Sequence, residues 1–102
     1  MDITVSSKHL EVTEAIKAYV LEKVAKLPRY FDKVTQIEAL FDKNNKHDYE
    51  VELIVRAEMH GPFVCTVHGP DLYHAVAECV NKIERMLTDH KEKLRNRKHN
   101  VN

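Results

Sequence analysis

The 102 residues, 43% hydrophobic and 31% charged, suit a single ordinary globular domain, and sixteen basic side chains balance sixteen acidic ones to a formal net charge of zero. No apolar run approaches the eighteen or so residues of a membrane span, and Met1-Asp2-Ile3-Thr4-Val5 lacks the basic segment and apolar stretch of a signal peptide, which predicts a cytoplasmic protein. Two cysteines, Cys65 and Cys79, are too few for a disulfide framework and lack metal-site spacing, so they are expected to be buried, reduced thiols.

Ile3 and Val5 alternate with Asp2, Thr4 and Ser6, which predicts a short strand with one buried face. At Val12, Ile16, Tyr19, Val20, Val24 and Leu27 the period becomes helical, with Thr13 as the cap and Pro28 as the stop. Residues 34–43 form the second predicted strand, with Ile37, Ala39 and Phe41 on one face, followed by a polar turn at Asn44, Asn45 and Lys46. From Tyr49 to His60 apolar and polar residues alternate, the pattern of a strand with water on one side only. Gly61-Pro62 is then expected to turn the chain into a fourth strand over 63–68, where Phe63, Cys65 and Val67 share a face.

Gly69-Pro70 closes the sheet, and Asp71 is placed to cap a long second helix. Its apolar stripe, Leu72, Val76, Cys79, Val80, Ile83, Leu87 and Leu94, runs to about residue 95. Residues 96–102 have almost no apolar content and read as a flexible basic tail, leaving 1–95 as the folded domain. The order β-α-β-β-β-α and the one-sided third strand predict a two-layer α+β domain. It has a four-stranded sheet with both helices on one face, and its first two strands are parallel if they are neighbours.

Charge is unevenly distributed along this framework. Residues 81–102 carry Lys82, Arg85, Lys91, Lys93, Arg95, Arg97 and Lys98 against Glu84, Asp89 and Glu92. A second basic cluster, Lys23, Lys26, Arg29 and Lys33, is opposed only by Asp32, while Glu38, Asp42, Asp48, Glu50, Glu52 and Glu58 crowd the middle. Screened fields act over about 10 Å, so a neutral chain segregated this way still presents a positive face. Spacing sets Lys82, Arg85 and Lys93 on one flank of the second helix's apolar stripe, with Lys91 and Arg95 towards the other flank and the back. A groove between two such helices offers phosphate oxygens their donors without reading base sequence.

Catalytic chemistry has little to build on. Two glycines cannot make a phosphate-binding loop, and no helix carries two histidines four apart with a glutamate between. By parity His60 and His68 lie on the polar face near the last hairpin, where two imidazoles could hold a divalent cation. Seven scattered histidines commonly give adventitious sites, however, and no metal or other cofactor is expected. Cys65 has the inward parity of Phe63 and Val67, which makes its thiol inert, and Glu50, Glu52 and Glu58 read as a solvated face rather than an acid/base pair.

Three motifs carry a family likeness: Tyr30-Phe31-Asp32, Asp71-Leu72-Tyr73 with Ala75, and the stretch from Lys82 through Leu87-Thr88 to His90-Lys91-Glu92-Lys93-Leu94. With them, almost the whole chain resembles the ribosome hibernation promoting factor family, also called ribosome-associated inhibitor or sigma-54 modulation proteins. The resemblance implies a fold similar to double-stranded RNA-binding domains, no enzymatic activity, and a role in stress and stationary phase. It also implies binding to the small ribosomal subunit between head and body, which blocks the messenger RNA channel and the A and P tRNA sites, inhibits translation and promotes inactive ribosome dimers. The family's basic positions fall on Lys23, Lys26, Lys82, Arg85, Lys91, Lys93 and Arg95, the expected rRNA contacts. Asp89 stands where members commonly have a basic residue, and Ala77 replaces a frequent aspartate. Ending at residue 102, the chain is similar to the short form, a monomer when free, whose partner in pairing ribosomes is ribosome modulation factor. The alternative is a protein-interaction module that modulates a sigma-54-dependent transcription partner through the polar sheet face or the acidic stretch 38–58.

Overall fold

A computed structural model describes residues 2–45 and 47–99. It contains β1 (Asp2–Lys8), α1 (Glu14–Val24), a 3-10 turn (Leu27–Arg29), β2 (Val34–Asn45), β3 (Asp48–Ala57), β4 (His60–Gly69) and α2 (Leu72–His99). The strands lie in the order β1-β2-β3-β4, with β1 parallel to β2 and the other pairs antiparallel.

Register builds the two faces of this sheet. Rows Ile3-Ile37-Val55-Phe63, Val5-Ala39-Leu53-Cys65 and Ser7-Phe41-Val51-Val67 cross the four strands on one side. Onto that side pack Ile16, Val20 and Val24 of α1 and Leu72, Val76, Cys79, Val80, Ile83 and Leu87 of α2, all in one buried cluster. Both helices therefore cover the same face, because each has a single apolar stripe and the sheet offers one apolar side. The opposite face presents the rows Thr4-Glu38-Ile54-Val64, Ser6-Leu40-Glu52-Thr66 and Lys8-Asp42-Glu50-His68. Its charges meet across strands, as in the pair of Arg56 Nη1 with Glu38 Oε1 at 2.9 Å.

The ends of the helices follow local chemistry. Thr13 Oγ1 accepts a hydrogen bond from the Ile16 amide at 3.2 Å, and the Asp71 carboxylate accepts from the amides of Tyr73 and His74 at 3.0 and 3.4 Å. Pro28 does not end α1, which stops at Val24. Instead it is the second residue of the 3-10 turn, a first-turn position that suits a residue without an amide hydrogen. α2 has 28 residues, about 42 Å of helix at 1.5 Å per residue, and its fully buried stripe ends at Leu87. The backbone of 96–99 continues the helix, while residues 100–102 of the predicted tail, like Lys46 of the predicted turn, lie outside the described residues.

The last hairpin corrects the sequence reading. The chain reverses at Glu58 and Met59, with Met59 in the left-handed region at φ 63°, and Gly61-Pro62 is already inside β4. Val55 pairs with Phe63 but Ala57 pairs with His60, so one extra residue is absorbed opposite Arg56. A bulge tolerates a proline that cannot donate to the ladder, and it inverts the alternation on either side of itself. His60 consequently turns towards the helices rather than onto the polar face.

Cys79 is buried and donates from Sγ to the carbonyl of Cys65 at 3.1 Å. Burial pushes its thiol well up, which keeps it protonated and unreactive. Among the described residues no helix is long and apolar enough to cross a membrane.

Candidate nucleic-acid interface

The site begins where α1 meets α2. Tyr19 on α1 packs edge-to-face on Tyr73 of α2, with ring centroids 5.1 Å apart, and Lys23 one turn later holds its ammonium 5.4 Å from the centre of the Tyr19 ring. One further turn along, Lys26 Nζ lies 2.8 Å from Glu84 Oε1. That oxygen is shut off from solvent and has no other hydrogen-bond partner, so the lysine is what compensates it. The hydrogen bond to Glu84 holds the Lys26 ammonium above its ordinary range. Lys26 therefore ties the end of α1 to α2 and spends much of its charge doing so.

Glu84, Thr88, Lys91 and Arg95 recur at three- and four-residue steps and so share the side of α2 that faces the 3-10 turn. Phe31, buried to 3% exposure, anchors the end of that turn and leaves its half-buried neighbour Tyr30 in the seam. Two shallow hollows meet at Tyr30. One, of about 220 Å³, is lined by Arg29, Tyr30, Thr88, Lys91, Glu92 and Arg95. The other, of about 420 Å³, is lined by Tyr30, Asn81, Glu84, Arg85, Thr88 and Asp89. Glu92 Oε1 lies 3.5 Å from Arg95 and offsets part of its charge. Among the described residues no carboxylate comes within ion-pair distance of Lys23, Arg85 or Lys91.

Lys82 and Lys93 sit elsewhere. Lys82 is near Cys79 and 3.9 Å from Glu78, and Lys93 is beside His90, which places both on the β4 side of α2. The seven predicted contacts therefore divide between two flanks: Lys23, Lys26, Arg85, Lys91 and Arg95 along the helix seam, Lys82 and Lys93 across the helix from it. Arg85 is corrected from the flank of Lys82 to the hollow beside Tyr30. Sequence reasoning missed Arg29 and Tyr30 as lining residues, although Arg29 belongs to the first basic cluster and Tyr30 to a quoted motif.

The inverted alternation of β4 creates a feature that parity could not reveal. His60 Nδ1 and His90 Nε2 are 3.0 Å apart, with the Phe31 ring 5.2 and 5.4 Å from the two imidazoles and Phe63 5.2 Å from His90. Neutral rings satisfy this contact when one donates and the other accepts. Burial, followed by the neighbouring His60 and Lys93, lowers the His90 pKa below its ordinary value of about 6.5. In the window between the lowered value and about 6.5 the unfolded chain binds more protons than the folded one, so stability is full above that window and falls as the pH drops through it. The thermal midpoint is expected to be lower at pH 5 than at pH 7.5, and His90→Phe to flatten that drop. Parallel loss in wild type and variant would assign the effect to other groups.

His68, by contrast, lies on the open sheet face, 3.3 Å from Glu50 and 3.7 Å from Asp48. The two histidines considered as a cation pair thus occupy opposite faces at opposite ends of β4. Among the described residues no group of three or more His, Cys, Asp or Glu side chains is placed to hold a metal. On the open sheet face Glu38, Asp42, Glu50 and Glu52 outnumber Lys8 and Arg56, while Lys23, Arg85 and Lys91 lie on the helical layer.

The family model described as "Sigma 54 modulation protein / S30EA ribosomal protein" matches residues 3–95. A "Ribosome hibernation promoting factor" of Pseudomonas putida is 34% identical over 93 residues, which covers 91% of this chain and 89% of that protein. The protein of the same description from Escherichia coli K12 is 31% identical over 96 residues, with 93% and 98% covered. Among solved structures, the N-terminal domain of Thermus thermophilus Protein Y aligns with a TM-score of 0.78 at 27% identity, over 88% of this chain and 99% of that one. A ribosomal subunit interface protein from Coxiella burnetii shares the fold at a TM-score of 0.82 and 20% identity, over 90% and 99%. On the extent of these matches, this chain belongs to the Sigma 54 modulation protein / S30EA ribosomal protein family.

Proposed function

We propose that the protein is a non-catalytic, cytoplasmic ribosome hibernation factor. It binds the small ribosomal subunit between head and body, blocks the messenger RNA channel and the A and P tRNA sites, inhibits translation and promotes inactive ribosome dimers in concert with ribosome modulation factor. The observation that carries this reading is the basic seam between α1 and α2, in which Lys23, Arg85 and Lys91 have no carboxylate within ion-pair distance among the described residues, on a chain of zero net charge and in a family whose relatives are described as hibernation promoting factors. A positive helical layer on one side and an acidic sheet on the other orient the molecule against a polyanion. Lys23, Lys26, Lys82, Arg85, Lys91, Lys93 and Arg95 are the rRNA contacts in this reading, with Lys26 acting chiefly as the tie to Glu84. Residues 1–95 form the binding unit, and 96–102 add Arg97 and Lys98 as a basic tail.

In a reconstituted translation assay, excess protein is expected to inhibit initiation and to protect small-subunit rRNA from chemical probes. Unchanged translation and an unchanged footprint would refute the proposal. The rival reading, a sigma-54-dependent transcription partner docked on the open sheet face, rests on the exposed Val64 beside Ile54 among the acidic residues. It predicts binding that survives high salt and leaves ribosomes untouched.

A further inference from the structure

Asp89 reads at first as a misplaced negative charge in a phosphate-binding surface. The geometry gives it a different role. It lines the same hollow as Arg85, one helical turn before it, yet the two are not within ion-pair distance, and among the described residues no other cation pairs with Asp89. An acceptor and a donor left free in one hollow that Tyr30 also lines form the complement of a base edge rather than of a phosphate. Across Tyr30, Arg29 and Lys91 line the neighbouring hollow, whose Glu92 is turned to Arg95, and among the described residues neither has a carboxylate within ion-pair distance. Phosphate donors, an aromatic platform and an acceptor-donor pair thus follow one another along a single seam.

We infer that this seam receives one unpaired nucleotide of an RNA strand. Its phosphate lies against Arg29 and Lys91, its base lies on Tyr30, and the exocyclic amine of that base donates to Asp89. The inference rests on the ribosome-binding reading and adds a base preference to it. Unstacked bases are recognised by aromatic stacking and by their hydrogen-bonding edges, and carboxylates accept from exocyclic amines. Adenine and cytosine present such an amine beside a ring acceptor that Arg85 can serve. Uracil offers its one N–H between two carbonyl oxygens, which repel a carboxylate.

The test is binding of fluorescent ten-nucleotide oligo(A), oligo(C) and oligo(U) to the full chain. The wild type is expected to prefer oligo(A) and oligo(C) over oligo(U) by roughly tenfold, and Asp89→Asn to abolish that preference. Tyr30→Ala is expected to weaken all three by roughly 5- to 150-fold, the range for loss of one stacked base. Because the chain has four tyrosines and no tryptophan, stacking on Tyr30 also quenches tyrosine emission, and Tyr30→Phe should keep the affinity and lose that part of the quench. Asp89→Lys separates the alternatives: tighter binding to every oligonucleotide, with no base preference in the wild type, makes Asp89 a misplaced charge and overturns the inference. Free AMP that competes as well as oligo(A) would overturn the assignment to a strand. Cosedimentation of the same variants with small subunits keeps the two levels apart. Wild type that fails to cosediment refutes ribosome binding itself. Wild type that cosediments while showing no oligonucleotide binding, or no loss in Tyr30→Ala and Asp89→Asn, refutes the nucleotide seam alone.

Discussion

Replacing Lys23, Arg85 and Lys91 together with alanine is expected to weaken ribosome binding on the order of 100-fold at about 0.1 M salt, and to flatten the salt dependence by about two to three units of slope. Among the described residues none of these three cations has a carboxylate within ion-pair distance, so each is free to displace counterions from a phosphate. None is buried, and folding should survive. The double variant of Lys82 and Lys93 tests the other flank of α2. A comparable loss there would mean that RNA wraps both sides of the helix, and a negligible one would confine the contact to the seam. Lys26→Ala should behave differently, because it removes the ammonium that pairs with the shielded Oε1 of the partly buried Glu84, and its first effect is a loss of stability. Affinity measured at several salt concentrations decides these cases. A triple variant with wild-type affinity and slope would remove the seam from the interface.

Phe41→Ala is expected to cost about 3–5 kcal/mol, a large part of the stability of a small domain. Phe41 is 1% exposed at the centre of the sheet, between Ser7 of β1 and Val51 of β3, with the helices above it. Truncation leaves a cavity that the sheet cannot close by sliding, since a one-residue shift of register would turn every inward side chain of β2 to solvent. Leu40 is the control. One residue earlier, it faces outward beside Glu52, and Leu40→Ala should cost less than about 1 kcal/mol. Urea unfolding reads both variants, with a lower midpoint and an unchanged m value for Phe41→Ala. Similar midpoints for the two would contradict the assignment of faces.

Much of this architecture was legible because its periods are clean. The alternation from Tyr49 onward placed Val51, Leu53 and Val55 on the inner face, and the steps Ile16, Val20, Val24 and Leu72, Val76, Cys79, Ile83, Leu87 gave both helix stripes. What escaped depends on events that a period does not record. The bulge opposite Arg56 adds one residue and turns His60 inward, which created the contact with His90 and broke the expected pairing with His68. Pro28 marked a boundary, but the helix had already stopped at Val24 because a 3-10 turn follows it. At the candidate site, charge spacing set Lys82 and Lys93 apart from Lys91 and Arg95 but placed Arg85 with Lys82, not in the hollow beside Tyr30, and left open the division into a seam against α1 and a flank away from it. That division depends on how α2 is rotated against the sheet and on the bridge from Lys26 to Glu84, both of them tertiary facts. Tyr30 was visible only as part of a motif. Its position between the two hollows follows from Phe31 beside it being anchored in the core.

Cosedimentation with ribosomes through sucrose gradients over a range of salt, with and without bound messenger RNA and tRNA, asks whether this chain holds ribosomes inactive by laying its basic helical layer on small-subunit RNA. The protein is expected to travel with the small subunit at low salt, to be released steeply as salt rises, and to be excluded when messenger RNA and tRNA occupy their sites. Protein that stays at the top of the gradient at every salt concentration, or that binds equally well beside messenger RNA and tRNA, would contradict this reading.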